Sequence, residues 1–231
     1  MKIAIMGAMP EEIAPILERL GSYKTTEYAG NKYYEANYNG VELVIAYSKI
    51  GKVFSTLTAA TMIEHFGAQK LLFSGVAGAV SPELKVGDLV VATKLSQHDL
   101  DITAFGHPFG YVPEGAVYVE TDKALVEVAK AVAGEMGLSV KEGIIATGDQ
   151  FVANEERKNW IGETFNADAL EMEGGSVAVV CNALNVPFFI LRAISDAADM
   201  DASFSFDEFL LSSAKISADF VMKMVDKITQ A

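Results

Sequence analysis

Hydrophobic and polar positions follow two different periods along this chain, and the alternation between those periods predicts its elements. Short β-rich runs at 2–8, 32–38, 41–48, 70–75, 88–95, 142–149 and 187–195 each predict a strand. Most of the intervals carry longer helical patterns, which predict helices at 10–20, 52–66, 121–136, 154–162, 172–185 and 205–228. Strands that alternate with helices signal an α/β domain on a largely parallel sheet. Asn39-Gly40 makes that sheet mixed, because both residues suit the positive φ of a type I′ hairpin between the second and third strands. In the last helix Phe206, Phe209, Leu210, Ser213, Ile216, Phe220 and Met224 form a stripe expected to face the core.

The chain has no internal repeat, low-complexity segment or Pro/Ser/Gly-rich linker, so a single domain over 1–231 is expected. One stretch, 97–115, lacks periodicity and contains His98, Asp99, Asp101, Phe105, His107, Pro108, Phe109, Tyr111 and Pro113. A loop longer than about 12 to 15 residues is usually functional or disordered, and this one is too aromatic for disorder. It is expected to cover something or to meet a partner.

Composition narrows the class. With 51% hydrophobic and 21% charged residues, the chain can bury a substantial core. Its 18 Lys and Arg against 31 Asp and Glu leave a net charge of −13, which repels nucleic-acid phosphates and anionic lipid. Cys181 stands alone and cannot form an internal disulfide, which fits a reducing compartment. Residues 3–9 resemble a short signal-peptide core, but Glu11 and Glu12 follow at once and no small-residue cleavage site does. The uncharged run 174–191 is interrupted by Asn182, Asn185 and Pro187, as expected of a helix that ends and a strand that follows. A cytoplasmic protein with no membrane partner is therefore expected.

Several familiar chemistries lack their residues. The first strand ends in GAMPEE with no G-x-G-x-x-G, and Gly51-Lys52 is followed by Val53 where a P-loop needs Ser or Thr. No H-E-x-x-H or paired C-x-x-C occurs, and His98-Asp99-x-Asp101 reads more simply as a polar loop than as a metal site. Ligands of open α/β sheets bind outside the carboxyl ends of strands, and four such ends carry unusual residues. They are Met9-Pro10-Glu11-Glu12, Ser74-Gly75-Val76-Ala77-Gly78, Glu171-Met172-Glu173-Gly174-Gly175 and Arg192-Ala193-Ile194-Ser195-Asp196. Gly75 and Gly78 suggest a turn that brings backbone to a ligand, although close helix packing explains such a pair equally well. Glu173 and Asp196 sit beside apolar residues, where an unpaired carboxylate is costly, although Glu173 also suits a first-turn helix acid. Of Glu11 and Glu12, one is expected to point inward, and Arg192 can neutralise one of these acids.

Taken together, GAMPEE, SKIGKV, GVAGA, KVGDLVVAT, HDLDITAFGHP, ATGDQFV, ALEMEGGSVA and LRAISDAAD with a downstream SFDEF resemble the 5′-methylthioadenosine/S-adenosylhomocysteine nucleosidase family. These motifs span nearly the whole chain. The resemblance implies a nucleoside phosphorylase-like three-layer α/β fold, with a mixed central sheet flanked by helices. It also implies a homodimer without metal or redox cofactor that hydrolyses the N-glycosidic bond of adenine thionucleosides. The wording of GVAGA, HDLDITAFGHP and ATGDQF resembles the branch that also cleaves 6-amino-6-deoxyfutalosine on the futalosine route to menaquinone, so tolerance of bulky 5′ groups is expected.

The resemblance also implies roles. Asp196, oriented by Ser195, would protonate adenine N7. An ordinary Asp has a pKa near 3.9, so only about a thousandth carries that proton at pH 7 unless the site raises it. Glu12, helped by Arg192, would hold the nucleophilic water, and Glu173 would bind the ribose hydroxyls and oppose the developing positive charge. Phe151 would stack on adenine while the Val152 backbone reads its edge. Met172 and Phe206 would pack on the ribose, with Met9 and Ile50 nearby and Val76, Ala77 and Gly78 lining the turn. Ile102, Phe105 and Pro113 would close the partner's 5′-alkylthio pocket, and Asp199 and Met200 would lie on a loop over the substrate. Val76 stands where many members of the family carry a hydroxyl. The competing readings are a phosphorylase, which needs cationic and backbone donors for phosphate, and a nucleoside-binding protein without catalysis.

Overall fold

The computed structural model describes the backbone of residues 1–196 and 202–230, and the side chains of 1–196 and 209–229. Its elements run β1 (Lys2–Gly7), α1 (Pro10–Leu20), β2 (Lys24–Tyr28), β3 (Asn31–Tyr38), β4 (Val41–Tyr47), α2 (Lys52–Glu64), β5 (Lys70–Ala79) and β6 (Leu89–Gln97). There follow β7 (Val119–Glu120), α3 (Lys123–Met136), β8 (Val140–Thr147), α4 (Glu155–Phe165), β9 (Ala169–Glu171), α5 (Gly174–Ala183), β10 (Phe188–Asp196) and α6 (Ala202–Gln230). Local chemistry explains several boundaries. Pro10 begins α1 where no intrahelical N–H is needed, and Gly21 ends it at φ 67°. Asp122 caps α3 by accepting from Leu125 N, and Asn154 caps α4 by accepting from Arg157 N. Asn39 and Gly40 have φ 51° and 84°, as the hairpin between β3 and β4 requires.

All ten strands join one mixed sheet. β1 runs parallel to both β4 and β5, and β3 and β2 extend the β4 side as an antiparallel meander. On the other side the sheet closes on itself, because β10 pairs with β5 in parallel and with β6 antiparallel. The ring is completed through β6–β8, β8–β9 and β9–β5.

Helices cover both faces, and the period-2 alternation of β1 shows how. Ala4 and Met6 face a core shared with Ala59 and Met62 of α2 and Val177 and Cys181 of α5. Ile3 and Ile5 face the opposite core, with Ile13 and Ile16 of α1, Leu125 and Val132 of α3, and Phe220 and Val225 of α6. The loop 97–115 holds only a short 3-10 turn, Thr103–Phe105.

Two expectations need correction. The strand predicted at 70–75 continues to Ala79, so Gly75 and Gly78 lie within β5 rather than in a turn. Gly75 answers to a side chain instead: a Cβ there would stand 2.8 Å from Glu12 Oε1 and 2.9 Å from Arg192 Nη1. On α6, Ser213, Phe220 and Met224 are buried as predicted, but Phe209 and Ile216 are 37% and 40% exposed, because the buried face turns onto Ala214, Ala218 and Val221. The side chain of Phe206, and Asp199 and Met200, lie outside the described residues.

Candidate active site

The pocket forms where β1, β5, β9 and β10 end together. It is a cleft of about 550 Å³ including its mouth, within the size range of small-molecule sites. Its wall contains twelve of the residues singled out above: Met9, Glu12, Ile50, Val76, Ala77, Gly78, Phe151, Val152, Met172, Glu173, Ser195 and Asp196. Ala8, Gln150, Leu170 and Glu171 complete it. The described wall thus carries four carboxylates, from Glu12, Glu171, Glu173 and Asp196, and no Lys, Arg or His.

Glu12 comes from the first turn of α1, while its neighbour Glu11 is exposed, so one of the pair does point inward. Its Oε2 accepts from Ala8 N at 2.5 Å and Met9 N at 3.1 Å, and its Oε1 accepts from Val76 N at 3.2 Å. The side chain therefore bridges the ends of β1 and β5, and the missing Cβ of Gly75 provides its space. Burial raises the Glu12 pKa above the ordinary value of 4.5, against the nearby positive charge of Arg192 and these three amides.

Glu171, at the end of β9, organises the opposite side. Its Oε2 accepts from Arg192 Nη2 at 2.6 Å, Arg192 Nε at 3.2 Å and Gly174 N at 2.7 Å. Its other oxygen accepts a short hydrogen bond from Thr147 Oγ1, which in turn accepts from Gly175 N at 2.6 Å. Arg192 also lies 4.1 Å over the Phe73 ring. Its hydrogen bonds thus go to Glu171 and to its neighbour's carbonyl, not to Glu12, which it reaches only through space. The expectation that Arg192 neutralises one of Glu11, Glu12, Glu173 and Asp196 is corrected: its ion-pair partner is Glu171, and it acts on Glu12 only through space.

Glu173 precedes α5, yet its carboxylate does not cap that helix. It leaves for α2 instead, where its Oε1 accepts from Gly51 N at 2.9 Å. Burial first, and then the adjacent Glu171 carboxylate, push its pKa up to about 8.

A register shift in the β10–β5 pairing falls between Ile194 and Asp196. Successive strand side chains ordinarily point to opposite faces, and such an irregularity lets both Ser195 and Asp196 reach the pocket. Ser195 Oγ donates to Asp196 Oδ2 at 2.8 Å and so fixes the carboxyl plane.

Three predicted residues stand elsewhere. Ile102, Phe105 and Pro113 do not line this pocket, and Phe105 is 81% exposed. Sequence reasoning gave Glu171 no role; its place two residues before Glu173 was the available signal. Among the described residues no group of His, Cys, Asp and Glu side chains could hold a metal ion.

Comparisons with known proteins place the chain in a family. A family model described as Phosphorylase superfamily matches residues 2–228. The chain is 61% identical over 228 residues to the aminodeoxyfutalosine nucleosidase of Campylobacter jejuni, covering 99% of this chain and 100% of that one. It is 39% identical over 232 residues to a 5′-methylthioadenosine/S-adenosylhomocysteine nucleosidase of Geobacillus kaustophilus, covering 100% and 99%. Among solved structures, a Helicobacter pylori nucleosidase mutant with 5′-methylthioadenosine in its active site has a TM-score of 0.96 at 52% identity, covering 98% of each chain.

Proposed function

The chain belongs to the phosphorylase superfamily and is a nucleosidase, and from that premise we propose that it uses water to split the N-glycosidic bond of adenine nucleosides bearing bulky 5′ groups. The substrates in this reading are 6-amino-6-deoxyfutalosine, 5′-methylthioadenosine and S-adenosylhomocysteine, which the names of its relatives supply. The observation that carries water as the nucleophile is the described pocket wall, with four carboxylates and no cation. Arg192, whose positive charge acts on Glu12 and Glu173, is already committed to Glu171. Such a wall offers phosphate no cationic partner and favours a neutral nucleophile with a cationic sugar.

The steps follow from the groups present. As the C1′–N9 bond lengthens, its electron pair moves into adenine, and Asp196, held by Ser195, delivers a proton to N7. Glu12 takes a proton from the water that attacks C1′, and its raised pKa makes it a better acceptor than an ordinary carboxylate. Glu173, with its pKa raised to about 8 by burial and the adjacent Glu171, favours its protonated form at neutral pH. A positive charge developing on the ribose favours its ionised form, which opposes that charge and accepts from the ribose hydroxyls. Phe151, with the Val152 backbone beside it, forms the base platform, and Met9, Ile50 and Met172 complete the sugar side, with Phe206 as a further contact.

A single domain over 1–231 that works as a homodimer completes the reading. Val53, Phe54 and Leu57 of α2 are 75%, 44% and 44% exposed, and with Ile50, Phe105, Phe109 and Phe151 they leave apolar surface that a second copy would cover. Ile102, Phe105 and Pro113 would then act on the partner's pocket. Location in the cytoplasm is part of the same reading, supported by the lone buried thiol of Cys181; no described helix is long and apolar enough to cross a membrane.

The deciding assay follows adenine release from the three nucleosides with and without phosphate. Release independent of phosphate, with a free sugar as co-product, is expected. A requirement for phosphate, with a sugar 1-phosphate formed, would overturn hydrolysis.

A further inference from the structure

Beside the pocket, three residues far apart in sequence close a ring of hydrogen bonds. Lys52 Nζ donates to Asp99 Oδ1 at 2.7 Å, and Asp149 N donates to Asp99 Oδ2 at 2.8 Å. Asp149 Oδ1 accepts in turn from Lys52 N at 2.7 Å, which returns the ring to its start. α2 has no side-chain cap of its own, so Asp149 supplies one from the end of β8. Gly51 permits the approach: its φ is +100°, and a Cβ there would lie 3.0 Å from Asp149 Oδ1. Lys52 Nζ also donates to Gln97 Oε1 at 3.2 Å, which ties in the end of β6.

Each side of the ring leads directly into the pocket. Gly51, one residue before Lys52, donates its N–H to the Glu173 carboxylate. Gln150, Phe151 and Val152, immediately after Asp149, line the base side. We propose that Lys52, Asp99 and Asp149 are positioning residues that lock the ribose-binding carboxylate and the base platform into one register, so that disturbing either side displaces both. Their benefit lies in geometry more than in folding, because Lys52 and Asp99 are partly exposed and such an ion pair adds little stability. Burial disfavours the charge on Asp99, but the bonds from Lys52 and the Asp149 amide outweigh it and hold its carboxyl below the ordinary range.

The proposal rests on the nucleosidase reading for its kinetic arm, and a second arm is independent of any reaction. Asp99→Asn keeps one acceptor oxygen where two donors need one each, so it breaks the ring. In Asp99→Asn and Lys52→Met, KM for 5′-methylthioadenosine should rise and kcat/KM fall by about 10- to 100-fold, as expected for misplaced binding groups. The double variant should be no worse than Asp99→Asn alone, because either change opens the same ring. Asp149→Asn, which keeps an oxygen for Lys52 N, should stay near wild type, while Asp149→Ala should behave like Asp99→Asn. Loss of folded protein would lower apparent kcat and leave KM unchanged, and Tm should move by no more than about 4 °C. Amide exchange supplies the second arm: Gly51 bonds to none of the three side chains, yet in Asp99→Asn its N–H should exchange at least about tenfold faster. Unchanged KM, multiplicative effects in the double variant, or unchanged Gly51 exchange would each overturn the proposal. If wild type released no adenine, the functional reading would fail, and Gly51 exchange would still decide the ring.

Discussion

Adding a single methyl group at Gly75 should disable Glu12, the carboxylate proposed to activate water, without replacing it. Gly75 lies in β5 and its φ is not in the left-handed region, so Ala can adopt the backbone without strain. Its Cβ, however, would stand 2.8 Å from Glu12 Oε1, 3.2 Å from Glu12 Cδ and 2.9 Å from Arg192 Nη1. Ordinary van der Waals contact begins near 3.4 Å, so the carboxylate must retreat by roughly 0.6 Å. It has little freedom to do so, since three backbone N–H groups hold it and Arg192 is fixed on Glu171. Overpacking of this kind costs about 1–3 kcal/mol, and at this chain length each kcal/mol lowers Tm by about 2–4 °C. The larger effect should be catalytic, because a reacting group misplaced by about 1 Å costs on the order of a hundredfold. The assay is kcat for adenine release from 5′-methylthioadenosine, with Tm measured on the same preparation. Gly134→Ala is the control: it lies in α3 with nothing within 4 Å of its added Cβ, and it should leave kcat unchanged while adding about 0.5–1 kcal/mol of stability. A Gly75→Ala protein with wild-type kcat would refute the placement of Glu12 as the base.

Further predictions concern the other carboxylates and the exposed loop. Glu173 has a folded pKa of about 8 against 4.5 ordinarily, so its contribution to stability is fully present below about pH 4.5 and is lost as pH rises through 8. Glu173→Gln cannot ionise, so between those limits its unfolding free energy should fall less with pH than that of wild type, by at most about 1.4 kcal/mol per pH unit for one proton; parallel curves would contradict a raised pKa. Asp196→Asn should lose nearly all turnover yet still bind an adenine analogue by calorimetry, and near-normal kcat would remove it as the acid. Phe105→Ala should raise KM most for the bulkiest 5′ groups, and mixed dimers of Phe105→Ala with Asp196→Asn subunits should regain activity above either parent. Failure of such mixtures to complement would place Phe105 outside the partner's site.

How much of this was readable in advance depends on whether the determining contact was local. α1 matches its predicted span because Pro10 and Gly21 punctuate it, and the hairpin at Asn39-Gly40 needs only its own two residues. β2, KTTEY, was missed because it is a largely exposed outer strand with no apolar alternation, and β9 because three residues show no period. In the site, Glu173 and Asp196 were legible as carboxylates at junctions beside apolar residues, where a charge requires a reason, while Glu12 was legible only as one of a pair with Glu11. Gly75 was visible as a glycine but misread as a turn, since its need for a missing Cβ comes from Glu12 arriving from another element. Arg192 shows the same limit most clearly. In a chain with 31 acids its partner cannot be named from composition. The partner is decided by two pairings, β5 with β10 and β5 with β9, which set Arg192 opposite Gly75 and Leu170 opposite Gly78. That double register brings Glu171 to the guanidinium, and it leaves the described pocket wall acidic and without a cation of its own.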